Sequence, residues 1–401
     1  GADGEHGRPA AWGALECDVF PVADPLVDAA DRLARALSRI AEPLNTLRER
    51  LLARLEDEAE EMDGATRARI EAIGRSLTRR ALNPLGAWQA MLRGLTEPPP
   101  DPGHRPGTVL FFKLDRRDGT RDVDVGLHRH WLDPTIPFAT TLAAPAQGLL
   151  VTSATLRDSG DRDPELAWTV AEARVGAPHL PSPAIRAAVA SPFDYANQTR
   201  CFVVTDVGAG EIGQLAAAYR ALFLAAGGGG LGLFTAIRRL QAVHQRIAPD
   251  LEAAGIPLYA QHVDAMGNAT LVDIFRTEED ACLLGTDAMR DGVDVPGRAL
   301  RLVVFEKVPW PRPDILHRER RVHLSGGDPK GYDDRIVRLR LRQAFGRLIR
   351  RATDRGVFVL LDRQAPSRVL SAFPAGVVVR RVGLAQAVEQ TRAFLSESED
   401  V

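Results

Sequence analysis

Lysine is almost missing from this chain: Lys113, Lys307 and Lys330 stand alone in 401 residues, against 48 arginines. None of the three lies in a Gly-x-x-x-x-Gly-Lys-Ser/Thr stretch, so no phosphate-cradling P-loop is encoded. The nearest approach, Gly326-Gly-Asp-Pro-Lys330-Gly331, has the wrong spacing and no hydroxyl after its lysine. No Asp-Glu-x-His metal box occurs either. Cysteine is equally scarce. Cys17, Cys201 and Cys282 are far apart and odd in number, which argues against a disulfide framework and against a metal site built from them. Cys201 and Cys282 each begin an apolar run and read as buried reduced thiols. No apolar stretch approaches the roughly 20 residues that span a bilayer, and no signal peptide is visible at Gly1. The expectation is a soluble, cytoplasmic protein with no membrane partner. An excess of either charge is lacking too: the net charge is −2, so bulk electrostatics do not advertise a polyanionic partner. Abundant alanine beside the arginine bias reads as a GC-rich genome, so only local arginine clusters carry weight.

What is present is ordinary globular material, 45% hydrophobic and 26% charged, with length for two or three domains. Residues 24–95 read as helical. Leu26, Ala30, Leu33, Leu37, Ile40, Leu44, Leu47 and Leu51 alternate spacings of four and three, a heptad seam. Pro43 falls inside it and predicts a kink or a split near Ala41. An acidic run over 56–63 is followed by a second amphipathic stretch with Ile70, Ile73 and Leu77. Such a pair suits an antiparallel α-hairpin, an ordinary bundle, or a dimerising coiled coil. Residues 96–107 form a proline-rich linker. Val109–Leu114 and Val125–Leu132 read as a β-hairpin. His128 and His130 share one strand face, with no third metal ligand nearby. Leu149–Val151 reads as a short buried strand running into Thr152-Ser153-Ala-Thr155.

From about residue 165 the pattern alternates. Continuous apolar strands are expected at Cys201–Thr205, Leu231–Phe234, Pro257–Ala260, Ala281–Gly285, Leu300–Glu306, Val357–Asp362 and Val377–Arg380. Helices are expected between them at Gly210–Ala225, Ala236–Ala254, Asn268–Thr277, Tyr332–Arg351 and Leu384–Ser396. That order implies an α/β fold with a parallel sheet covered on both faces. Such sheets place ligands at the carboxyl ends of their strands. Thr235, Gly285-Thr286 and Thr152-Ser153 all follow an expected strand directly.

The richest stretch is Gln343-Ala-Phe-Gly346-Arg347-Leu-Ile-Arg350. Read as helix, it sets two guanidiniums on one face, whose donor forks match the oxygens of a polyphosphate. A solvated basic helix is the competing reading. Two more blocks stand upstream: Thr152-Ser-Ala-Thr155-Leu156, and Gly285-Thr286-Asp-Ala-Met-Arg-Asp291-Gly292-Val-Asp294-Val-Pro-Gly297. Together the three resemble motifs III, V and VI of superfamily 2 helicases, and most closely those of the DinG/XPD group. Ser191-Pro-Phe-Asp-Tyr195 followed by Gln198 resembles the segment that opens the second motor domain of DinG relatives. Leu233-Phe-Thr235-Ala with Arg238 resembles motif IV, and Pro309-Trp310-Pro-Arg-Pro313 the proline-rich loop after motif V.

The resemblance implies a RecA-like, P-loop NTPase-type second motor domain over residues 161–401. It makes 107–160 the last strands of a first motor domain with motif III, and 1–106 a helical arch-like segment with its linker. It implies ATP and Mg2+ held mainly by a motor half whose motifs I and II lie before residue 1. It implies single-stranded DNA or DNA junctions as partners, in a cytoplasmic, nucleoid-associated setting such as DNA repair. The iron–sulfur cluster of many relatives finds no support here. Arg350 is then the arginine finger, with Arg347 and Gln343 reaching the γ-phosphate. Asp291, Gly292, Asp294 and Gly346 are nucleotide-binding positions. Thr235, Arg238, Thr286 and Trp310 are DNA-binding positions, and Thr152, Ser153 and Thr155 couple the two sites. This chain departs from DinG relatives where they carry an aromatic pair and Glu before the motif V glycine; here stand Met289, Arg290 and Asp291. The implied function is the C-terminal half of an ATP-dependent DNA helicase, inactive alone. A non-catalytic nucleic-acid-binding or scaffold module, and a coiled-coil adaptor, remain alternatives. No acidic cluster suggests a nuclease.

Overall fold

A computed structural model describes residues 15–96, 107–117, 121–158, 163–208, 210–286, 289 and 295–396. These fall into two compact units, one of residues 1–133 and 314–323, the other of 134–313 and 324–401.

The first unit pairs helices with a small sheet. Strand β1 (Leu15–Asp18) precedes helices α1 (Asp24–Asp57), α2 (Gly64–Leu77) and α3 (Asn83–Arg93). Strands β2 (Thr108–Arg117) and β3 (Arg121–Trp131) follow as a long hairpin, and β1 adds antiparallel to β2. Asp63 starts α2 by accepting the Ala65 and Thr66 N–H groups at 2.9 and 2.8 Å. The heptad seam holds only in part: Leu26, Ala30 and Leu37, with Ala34, pack with Leu92 and Leu95 and with β2 and β3 side chains, while Leu33, Ile40 and Leu47 are exposed. The expected kink at Pro43 is not a break, because α1 runs unbroken through it. A proline removes one N–H from the ladder. Packing of α1 on both α2 and α3 holds the turns on either side of it. A distant helix, Ile315–Leu324, supplies residues 314–323 of this unit. Glu16 accepts its Ile315 N–H at 2.9 Å, Asp18 pairs with Arg318 at 2.8 Å, and Arg320 donates to the Trp131 carbonyl.

The second unit holds short helices α4 (Thr135–Phe138), α5 (Pro164–Arg174) and α6 (Tyr195–Gln198), then an alternating run. The run is β4 (Thr199–Val204), α7 (Ile212–Ala226), β5 (Gly230–Phe234), α8 (Ile237–Ala253), β6 (Leu258–Ala260), α9 (Asn268–Thr277), β7 (Cys282–Thr286) and β8 (Leu302–Phe305). After α10, the Ile315–Leu324 helix already described, come α11 (Pro329–Phe345), β9 (Gly356–Leu360), β10 (Val379–Val382) and α12 (Leu384–Ser396). The seven strands form one sheet in the order β10-β4-β9-β8-β5-β7-β6, parallel at every pairing. One apolar cluster covers each face, which is why the strands read as unbroken hydrophobic runs. The fold class is the expected α/β parallel sheet flanked by helices, with a helical N-terminal segment.

Two sequence expectations fail locally. Leu149–Val151 is no strand, and Leu150 is 86% exposed. No ladder partner lies beside it among the described residues, and an unpaired three-residue strand cannot satisfy its backbone. Helix α11 ends at Phe345, not Arg351. Past Gly346 the chain tightens into three-residue turns, with Arg347 N–H on the Ala344 carbonyl and Leu348 N–H on that of Phe345. Leu348 and Ile349 then turn into the core, and Leu348 seats against Gly356, where a Cβ would lie 2.7 Å from it. Arg347 therefore lies in the turn that ends α11 and Arg350 in the bend that follows, not on one helix face.

Candidate nucleotide and nucleic-acid sites

The sheet order places four loops in a row at its carboxyl edge, after β9, β8, β5 and β7. Phe234 is in register with Thr286, so Thr235 and Thr286 sit at neighbouring strand ends. Each threonine is held by a buried partner. Glu306, next after β8, accepts both the N–H and the hydroxyl of Thr235, at 2.7 and 2.5 Å. Its other oxygen pairs with Arg239 at 2.5 Å. Gln261, next after β6, accepts the N–H and hydroxyl of Thr286 at 2.9 and 2.8 Å and donates to Asn268. These bonds fix the rotamers of both threonines, while each hydroxyl oxygen keeps lone pairs. Burial, then the nearby Glu306 charge, pushes the Tyr219 phenol well above its ordinary range. Its hydroxyl bridges the carbonyls of Leu233 and Val304 beneath this edge.

Arg238, the expected DNA contact, projects exposed from the first turn of α8. The neighbouring Arg239 is the one that neutralises Glu306. Trp310 is 39% exposed, with the Arg368 guanidinium 5.9 Å above its ring. Asp334 holds Arg368 at 2.6 Å. The Trp310 loop is pinned just before the ring: Asp362 accepts the Val308 N–H at 3.0 Å, and Arg340 of α11 donates to the Pro309 carbonyl at 2.9 Å.

Thr152, Ser153 and Thr155 form a surface turn in which the Ser153 hydroxyl accepts the Thr155 N–H at 3.1 Å. Its continuation is tied to α11. Asp158 takes the Arg338 guanidinium with both oxygens, and Arg342 donates to the Arg157 carbonyl at 3.2 Å. Burial lowers the Arg342 pKa, and Asp158 partly restores it.

The arginine turn lies at the other edge of the sheet. It precedes β9 and meets the amino ends of β4 and β9, where Thr199 is in register with Gly356. Gln343 is half-buried on α11, Gly346 caps that helix, Arg347 is half-buried and Arg350 is exposed. One oxygen of buried Asp354 accepts the N–H groups of Arg350 and Arg351, both at 2.7 Å. The Gln198 amide, just before β4, donates toward the carbonyls of Arg351, Ala352 and Asp354 at 3.0–3.2 Å. A strand of about five residues separates the two edges, roughly 15 Å at about 3.3 Å per residue. Asp291, Gly292 and Asp294 lie outside the described residues. Among the described residues no group of three His, Cys, Asp or Glu could hold a metal ion. Cys201 and Cys282 are buried, and burial drives both thiols up, Cys282 to about 12.

Residues 220–377 match the family model for a helicase C-terminal domain. Over 193 residues the chain is 36% identical to an ATP-dependent helicase DinG of Mycobacterium tuberculosis. The matched region is thus similar both to a helicase C-terminal domain and to a DinG helicase. That match covers 45% of this chain and 28% of the mycobacterial protein, so the chain spans under a third of its relative's length. The DinG-like region is also 31% identical over 194 residues to the ATP-dependent DNA helicase YoaA of Escherichia coli, covering 45% of this chain and 29% of that one. A 3'-5' exonuclease DinG of Bacillus subtilis is 34% identical over 138 residues, 33% of this chain and 15% of its own. A solved XPD helicase aligns over 92% of this chain and 65% of that one, at 14% identity and a TM-score of 0.45, too loose a likeness to argue from.

Gln261, Glu306, Arg239 and Asp158 were not expected from the sequence. Glu306 had a signal: a carboxylate closing the apolar run Leu302–Phe305 is buried and needs a cation.

Proposed function

We propose that this chain is the C-terminal part of a DinG-type, ATP-dependent DNA helicase. In this reading Arg350 is the arginine finger, with Arg347 and Gln343 beside it. Thr235, Arg238, Thr286 and Trp310 line part of a single-stranded DNA path. The observation that carries the reading is the retained Gln343-x-x-Gly346-Arg347-x-x-Arg350 stretch, with the Arg350 backbone held by Asp354, in a region similar to a helicase C-terminal domain. An exposed guanidinium on an immobilised backbone can stabilise charge developing on a transferred phosphoryl group. In this arrangement both threonines spend their N–H and hydroxyl donors on Glu306 and Gln261, so each exchanges one of those bonds when it meets a backbone phosphate, beside the exposed Arg238. Contacts of this kind make DNA binding largely sequence-independent and salt-sensitive.

The chain encodes no P-loop lysine. ATP hydrolysis accordingly needs a motor half that carries one, and the carboxylates for Mg2+ belong there too. A nucleoid-associated, cytoplasmic location follows from a DNA partner. The deciding test measures ATP hydrolysis with and without single-stranded DNA, for this chain alone and for the protein that joins it to a P-loop motor half. DNA-stimulated turnover only in the joined protein, lost in Arg350→Ala, supports the proposal. DNA binding with no turnover in either would make the chain a non-catalytic nucleic-acid-binding module.

A further inference from the structure

An arginine that acts on a transition state works only if its backbone is placed before the substrate arrives. Here the helix that should carry Arg350 stops five residues short of it, at Phe345. The stretch from Arg350 to Asp354 belongs to no regular element. We propose that Asp354 and Gln198 are positioning residues that pre-set the backbone of Arg350; this rests on the arginine-finger reading above.

The geometry closes on itself. The Arg350 and Arg351 N–H groups converge on one Asp354 carboxylate oxygen, both at 2.7 Å. The Asp354 N–H returns to the Arg351 carbonyl at 3.2 Å. The carbonyls of Arg351, Ala352 and Asp354 then converge on the Gln198 Nε2. So one side chain collects the N–H groups of the turn and the other collects its carbonyls. Asp354 is 7% exposed and Gln198 8%, so neither bond set competes with bulk water. Both residues stand at the amino ends of adjacent strands, Gln198 directly before β4 and Asp354 two residues before β9. The turn is thereby referenced to the sheet and not to α11. Each acts through the backbone that carries the arginine.

The test uses the protein in which this chain is joined to a P-loop motor half. Amide hydrogen exchange is read at Arg350 and Arg351, and ATP turnover is read in parallel. In Asp354→Ala, exchange at both amides should speed up about 10–100-fold, the loss of a charge-assisted hydrogen bond. Its kcat should fall about 100-fold while KM for ATP changes little. Asp354→Ala/Arg350→Ala should be no slower than Arg350→Ala alone, since both remove one contribution. Asp354→Asn keeps an acceptor oxygen in place and should restore protection and most of the turnover. Gln198→Met, which removes the donor at similar volume, should repeat the kcat loss. Unchanged exchange in Asp354→Ala overturns the geometry. Faster exchange with full turnover, while Arg350→Ala is inactive, overturns the positioning role and leaves the finger standing. An Arg350→Ala protein of full activity sinks the finger reading itself. A folded Asp354→Asn that keeps protection yet turns over no faster than Asp354→Ala also overturns the proposal.

Discussion

Asp158 and Arg338 face each other across 180 residues of sequence, carboxylate against guanidinium fork, both nearly withdrawn from water. Through this pair the turn of Thr152, Ser153 and Thr155 is continuous with α11, the helix that leads to the arginine turn. A hydroxyl turn with no strand leading into it is tied to α11 by this ion pair and by the Arg342 bond to the Arg157 carbonyl.

Removing one partner leaves a buried charge uncompensated, which costs about 3–5 kcal/mol. Asp158→Ala should therefore destabilise the second unit by that order, read as a shift in urea midpoint at unchanged slope. Asp158→Leu/Arg338→Met should recover much of the loss. A double mutant as unstable as the sum of the singles would show that the pair is not coupled.

Glu306 is a sharper case, since its side chain is fully buried and serves Thr235 and Arg239 together. Glu306→Ala strands Arg239 and frees the Thr235 rotamer. A loss of about 3–5 kcal/mol is expected. Glu306→Gln, which keeps an acceptor for Thr235, should fold better and bind single-stranded DNA about as well as wild type, whereas any folded Glu306→Ala should bind it less well. Equal DNA affinity for Glu306→Ala would mean that the Thr235 rotamer is immaterial to binding.

The opposite edges of the sheet predict separable defects. Arg350→Ala in the joined protein should lower ATP turnover about 10³-fold or more and leave DNA affinity within a factor of about two. Thr286→Val should weaken DNA binding and reduce DNA stimulation while sparing basal hydrolysis. Filter binding and steady-state ATPase assays on both variants check this; a joint loss in either variant would contradict the separation.

Acid should weaken the first unit through His130. Burial lowers its pKa below 6.5, His128 and Arg320 lower it further, and Asp314 opposes them. Phe111 stacks on the same ring. Because the folded value lies below the unfolded one, the unfolded chain takes up the proton first. Stability is unaffected above about pH 7 and falls as pH drops through 6.5 toward the folded value. His130→Gln should flatten that part of the thermal-midpoint profile between pH 7 and 5; an unchanged slope would assign it to other groups.

The sheet was legible because a parallel strand covered on both faces leaves a run such as Arg200-Cys-Phe-Val-Val204 almost wholly apolar. The arginine turn was misread as helix because Leu348 and Ile349 keep a helical spacing. What ends the helix is packing against Gly356, which no local pattern carries. Leu149–Val151 had strand composition but no strand to pair with. That Thr235 and Thr286 stand at the carboxyl edge was legible from the strands before them. Their partners were not: Glu306 is 71 residues from Thr235 and Gln261 is 25 from Thr286, distances only the fold closes.

The first unit takes its last ten residues, 314–323, from the far side of the second unit's strands β4 to β8. On the ribosome this has a consequence in time. At about 5–20 residues per second, the 190 residues between Asp133 and His323 take roughly 10–40 s to emerge. Throughout that interval Glu16 and Asp18 have no Ile315 and Arg318 to meet, and the nascent N-terminal unit waits, incomplete, while most of the parallel sheet is being made.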